Sequence, residues 1–130
     1  QELFLDFSIV PIVVGRPTSE EVAAVLDALW GGPETRLIIS SDLSHYHSHA
    51  AARRLDDETA EAIVALRPEA LREDSACGRV AIAGLLAAAG RHGLVAHEVD
   101  LRNSGDTGGP GDRVVGYGAF TFSSPAPAAY

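Results

Sequence analysis

Two small groups of residues carry the types and spacing that chemistry needs. In Ser40-Ser-Asp-Leu-Ser-His-Tyr46 a carboxylate at Asp42 and an imidazole at His45 stand three positions apart, directly after the apolar run Leu37-Ile38-Ile39. A carboxylate beside an imidazole orients the ring, raises its basicity and suits it to act as a general base or a metal ligand. An aspartate capping the next turn, with a histidine hydrogen-bonded beneath it, is the structural alternative, and local sequence leaves both open. Three of the five histidines fall here, at 45, 47 and 49. Alternate positions share a strand face, but a loop or helix start breaks that geometry, so His47 and His49 read as bystanders. The second group is Ala76-Cys77-Gly78, immediately before a helical pattern. Free N–H groups and the helix dipole favour a thiolate there, as a nucleophile or a soft metal ligand. The plainer reading is a small buried residue beside a glycine needed for packing.

The elements that must position these groups follow from periodicity. Phe7 to Val14 reads as a strand rich in β-branched residues, with Pro11 implying an edge or a bulge. Thr18 and Glu21 have capping-box spacing, and Val22, Val25, Leu26 and Leu29 continue at helical period to Gly31-Gly32-Pro33. Arg36 to Ser41 is a second strand, apolar enough to be central. Beyond the histidines, Ala50 to Arg54 suggests a helical turn, and Asp56 or Asp57 a cap for a helix through Ile63, Val64 and Leu66. Pro68 suits the first turn of a short helix over Glu69 to Arg72. The longest helical pattern opens at Cys77-Gly78, with Ile82, Leu85, Leu86 and Ala89 on one face and Gly90 and Gly93 closing it. Leu94 to Leu101 alternates, placing Val95, His97, Val99 and Leu101 on one side of a third strand. Asn103 to Asp112 is a glycine-rich loop, and Val114 to Phe122 a fourth strand. His92 and His97 read as structural. Strands alternating with helices argue for a mixed, mostly parallel sheet flanked by helices.

Composition bounds the partners. The 130 residues are 46% hydrophobic, enough for one core. All ten basic residues are Arg against 18 acidic ones, giving a net charge of −8. Without a basic stripe, that balance argues against nucleic acid. No run approaches the roughly 20 apolar residues of a membrane span. A single cysteine excludes an internal disulfide and suits a reducing compartment, so the cytoplasm is the expected location. Met is absent, so the expectation is a trimmed start or a piece of something longer.

Gly105-Asp-Thr-Gly-Gly-Pro110 resembles the GDSGGP signature of trypsin-like proteases, with Thr107 in the place of the nucleophilic serine. Those proteases are all-β, whereas several helical patterns run through this chain, and the assignment is rejected. The loop also lacks the P-loop lysine and opens no helix, which leaves it as a rim segment.

Three blocks in register are more specific: Ser40 to Tyr46, Ala76 to Arg79, and Leu101 to Phe120. Their order and spacing resemble the Memo family, protein B of the AmmeMemoRadiSam system, over about Phe7 to Phe122. The resemblance implies an α/β fold similar to the LigB-type class III extradiol dioxygenases; composition gives one domain, over 1–122, and Ser123 to Tyr130 reads as a flexible tail. It implies a non-haem Fe(II) or Cu pocket in the complete protein, with Cys77 as metal ligand and Asp42 and His45 as catalytic groups lining it. Ser41, Tyr46, Arg79, Ser104 and Asp106 are expected on the rim. The chain resembles only the C-terminal half of the family, and the N-terminal blocks with two further histidine ligands have no counterpart in it. The expected partners are therefore that missing half or a second copy, together with a small-molecule or peptide ligand. Two other functions fit the same residues. One is a non-catalytic binding module. The other is a Cys-dependent hydrolase or transferase with Cys77, His45 and Asp42 as nucleophile, base and orienter.

Overall fold

The computed structural model describes residues 6–126. The first helix, α1 (Ser19–Ala28), starts where the capping box requires. Thr18 Oγ1 accepts from the Glu21 N–H at 3.2 Å, and the Glu21 carboxylate accepts from the Thr18 N–H at 2.7 Å. Four further elements follow: β1 (His45–His47), α2 (His49–Val64), α3 (Arg79–Arg91) and β2 (Val95–Asn103). The last strand is β3 (Val114–Ser123), and short 3₁₀ turns occupy Pro68–Ala70 and Ser104–Thr107.

The mixed α/β class is as expected, but the direction of the strands is not. The sheet runs β1-β3-β2, and both ladders are antiparallel. The two segments expected as the first and second strands, 7–14 and 36–41, form no ladder with any described residue. What remains is the β2–β3 pair, joined by the Gly-rich connection, with β1 added at the far edge of β3.

Side-chain facing along β2 also departs from simple alternation. The register shifts between Glu98 and Asp100, so Val99 is a bulge residue. Before it Ala96 points inward, and after it Leu101 and Asn103 do, while Val95, His97 and Val99 are exposed. The stretch from Ala50 to Val64 is one continuous helix, because Asp56 does not cap it. Asp56 instead lies on its inward stripe with Ala52, Thr59, Ala60 and Ile63. At 16 residues α2 is longer than α3, which has 13. Gly90 lies inside α3, and the chain turns at Gly93 with φ 65°. Ser123, the first residue of the expected tail, is the last residue of β3, and positions 127–130 lie outside the described residues.

Two apolar clusters hold these elements. Leu43, Ile63, Leu71, Ile82 and Leu86 form one, beneath Leu101, Phe120 and Phe122 of the sheet. Val22, Ala23 and Leu26 of α1 meet Ala88 of α3 in the other. Ile39 touches both, so the segment before the site is anchored on its inward face. At the end of the α1–α3 pair Asp27 receives Arg91 at 2.8 Å and His92 at 3.0 Å. The His92 ring stacks on Trp30 with centroids 3.8 Å apart, in keeping with its structural reading.

Candidate metal centre

Asp42 and Cys77 are brought together by backbone pairing across 35 residues of sequence. The Cys77 N–H donates to Asp42 O at 3.3 Å, and the Asp42 N–H donates to Cys77 Sγ at 3.3 Å. Ser41 closes the junction: its Oγ accepts from the Gly78 N–H at 2.8 Å and donates to Asp42 O at 2.7 Å. A Cβ at Gly78 would run into the Ser41 side chain, so this approach needs a glycine where α3 is capped. Ser41 Oγ also lies 3.5 Å from Cys77 Sγ, which makes Ser41 a direct neighbour of the thiol.

His45 is aimed by an irregularity in the edge strand. It pairs with Val115 while His47 pairs with Val114, and Tyr46 between them takes φ 62°. A non-glycine residue in the left-handed region is uncommon and is held by its surroundings. With Tyr46 bulged out and exposed, His45 turns its Nε2 to within 3.5 Å of Asp42 Oδ2. This pair is half-exposed, so its electrostatic contribution to stability is small. Arg113 lies over the Tyr46 ring, 5.0 Å from its centroid.

The outcome is one group of three donors. A carboxylate oxygen of Asp42, a ring nitrogen of His45 and the thiol of Cys77 all lie within 4.8 Å of one another. Metal–ligand bonds are about 2.0–2.3 Å long, so donors this close are within reach of one ion after side-chain rotation. Cys77 is exposed and the other two are part-buried, so the group opens outward. No hydrogen bond joins His45 to Cys77 among the described residues; the thiol is engaged by Asp42 and Ser41 instead.

The other residues expected on the rim are Arg79, Ser104 and Asp106. Arg79 is the first residue of α3 and makes no side-chain hydrogen bond or ion pair among the described residues. Ser104 and Asp106 belong to a second cluster at the start of the Gly-rich connection. Asp106 caps the Asn103 N–H at 2.8 Å and lies 3.5 Å from His49 Nε2. His49 Nδ1 is 2.9 Å from Asn103 Oδ1, and Ser104 Oγ accepts from the Val115 N–H at 3.2 Å. His49, read from sequence as a bystander, therefore ties α2 to the end of β2.

The residue that sequence reasoning missed is Asp56. Its Oδ1 accepts from the Ser44 N–H at 2.9 Å, and a Cβ at Gly116 would collide with its carboxylate. Ser44 in turn accepts from the Gly116 N–H at 2.8 Å, and the Leu43 N–H donates to Gly116 O at 2.9 Å. The segment between Asp42 and His45 is thus fixed to α2 on one side and to β3 on the other. Burial pushes the Asp56 carboxyl above its ordinary range, opposed by hydrogen bonding from Ser44 and by nearby His47. The available signal was its place in the stripe Ala52, Asp56, Thr59, Ala60 and Ile63, where an acidic residue interrupts an otherwise inward-facing set.

Fold and site together describe a mixed α/β chain that gathers a carboxylate, an imidazole and a thiol at one junction. The chain belongs to the Memo-like protein family, whose model matches residues 1–121. It is 34% identical over 131 residues to a MEMO1 family protein of Saccharolobus islandicus, covering 92% of this chain and 46% of that one. A MEMO1 family protein of Saccharolobus solfataricus is 33% identical, with the same coverage. Another, from Methanosarcina acetivorans, is 35% identical over 126 residues, covering 88% of this chain and 47% of the relative. The chain thus spans about half the length of the curated relatives it matches.

Proposed function

We propose that this chain forms one wall of a transition-metal pocket, with Cys77 as a ligand and His45 and Asp42 beside it. The observation that carries this reading is the convergence of the three donors within 4.8 Å. A thiolate and an imidazole suit iron, copper or zinc better than the hard cations, and a carboxylate completes or orients such a set. A bound Fe(II) or Cu ion supplies Lewis acidity and one-electron chemistry, the class of reaction proposed for the complete protein on a small molecule. For their part, Cys77 anchors the ion and His45 moves a proton at a ring nitrogen. Asp42 holds that ring in orientation, and Ser41 fixes the thiol's position. One thiolate ligand from this wall leaves room for further ligands from the sequence that the relatives have in addition.

The thiol-nucleophile reading has less support. It needs the imidazole to hold the sulfhydryl, and the hydrogen bonds of Cys77 run to Asp42 and Ser41. Cobalt(II) titration of the chain tests the metal reading. A thiolate-to-cobalt charge-transfer band is expected in the near ultraviolet, absent in Cys77→Ala and altered in His45→Ala. A cobalt spectrum that Cys77→Ala leaves unchanged would remove the thiol from the ligand set. Rapid alkylation of Cys77 that depends on His45 but is indifferent to cobalt would favour the nucleophile instead.

A further inference from the structure

Two non-glycine residues among the described ones take a left-handed backbone, Tyr46 with φ 62° and Leu66 with φ 51°. For a residue with a Cβ that conformation is strained, so its surroundings must offset the strain. Leu66 is accounted for, because its side chain packs against the first apolar cluster. Tyr46 packs on neither cluster. It is the bulge residue of β1, where two steps along one strand match a single step on β3. Glycine fills such a left-handed bulge position without strain. The bend alone therefore does not explain the ring.

What the ring touches does. It stands edge-on to the His45 imidazole, with centroids 5.7 Å apart and planes at 62°. Aromatic pairs in that arrangement attract each other and are directional. His45 is thus held on two sides, by Asp42 Oδ2 near its Nε2 and by the Tyr46 ring. The Arg113 guanidinium lies over the tyrosine in turn. Arg113 forms no ion pair with any described residue, although the chain has 18 acidic side chains, and the aromatic face is the partner of its charge. Arg113 also directly precedes Val114 and Val115, which pair with His47 and His45. The brace and the imidazole are therefore tied to the same strand start.

We infer that Tyr46 is a positioning residue for His45, and that Arg113 braces it from the end of the Gly-rich connection. A strained side chain stands where glycine would fit, and its effect is an imidazole confined to one orientation beside Asp42 and Cys77. An unconfined histidine spreads over three staggered χ1 wells, so the population of the aimed one falls to about a third. The use of that orientation for a metal rests on the metal reading; the confinement of the ring does not.

Three-bond couplings across χ1 of His45, measured by NMR on the metal-free chain, test the confinement. A single rotamer is expected in the wild type and in Tyr46→Phe, which keeps the ring. Tyr46→Gly, Tyr46→Ala and Arg113→Ala should average the couplings, whereas Arg113→Lys keeps a cation over the ring and should keep one rotamer. Thermal melts separate the side chain from the bend. Tyr46→Gly should unfold about 5 °C above Tyr46→Ala, since only glycine is free of the left-handed strain. Cobalt(II) then reads the consequence: both spectra should move toward that of His45→Ala, although the two variants differ in stability. A role in stability alone would instead leave Tyr46→Gly with the wild-type spectrum. Averaged couplings in the wild type overturn the inference, and so does a single rotamer in Tyr46→Gly. Couplings unaffected by Arg113→Ala overturn the brace. A wild-type chain that takes up no cobalt while His45 keeps one rotamer defeats the metal reading and supports the positioning.

Discussion

Replacing Asp56 probes the joint between the scaffold and the metal centre. The side chain is 2% exposed and accepts one backbone N–H, from Ser44, at 2.9 Å. Asp56→Ala leaves that buried donor without a partner, a cost of about 1–3 kcal/mol. Relief from burying a carboxylate offsets part of it, so a net loss of about 2 kcal/mol is expected. For a chain of this length that is a fall of roughly 6–10 °C in Tm. Asp56→Asn keeps an oxygen acceptor in the same place and loses the charge, so its cost should be about half as large.

The pH dependence separates the two contributions. The Asp56 carboxyl is raised by burial above its ordinary value of 3.8. Between that value and the raised one the folded chain holds more protons than the unfolded chain, so this group's contribution to stability falls as pH rises. It is fully present below 3.8 and lost as pH climbs through the folded value. Asp56→Asn removes that slope. Urea unfolding across the acid range should therefore show wild type exceeding Asp56→Asn by most at low pH, with the gap narrowing upward. A gap that widens with pH would refute the desolvation argument, and an Asp56→Ala chain as stable as wild type would refute the Ser44 anchor. Because Ser44 sits between the two donors, Asp56→Ala should also weaken cobalt binding while Cys77 remains in place.

Two further substitutions test the supporting geometry. Gly116→Ala places a methyl against the Asp56 carboxylate and should cost about 1–3 kcal/mol in urea unfolding. Combined with Asp56→Ala it should cost less than the sum, since the obstructing group is gone; strict additivity would deny the contact. Thr18→Ala removes the side-chain half of the α1 cap and should lower stability by about 1 kcal/mol in a calorimetric scan. Hydrogen bonding from Thr18 holds the Glu21 carboxyl below its ordinary 4.5, so the cap's contribution is present above that value and fades as pH falls through the lowered one. Thr18→Ala should shrink that acid-side loss, and an unchanged acid profile would count against the cap.

What could be read from sequence divides by the range of the interactions involved. The α1 cap was legible because Thr18 and Glu21 satisfy each other within one turn. The donor triple was legible as residues but not as geometry. Asp42 and Cys77 meet through bonds spanning 35 residues, and His45 is aimed by a left-handed Tyr46 that no local pattern announces. Asp56 was misread as a cap for the same reason. A helix-start reading considers the residues just after it, whereas its partner is Ser44 and its close neighbour Gly116, across the sheet. The facing of β2 was lost to one bulge at Val99, since a single extra residue reverses every side chain beyond it. The two apolar runs that form no ladder are the instructive case. Their composition is that of buried strands, yet Ile38 and Val13 stand in solvent. Strand propensity is mostly a fit to neighbours on a pleated, half-buried surface, so a run can be correct as a strand and still find nothing to pair with among the described residues.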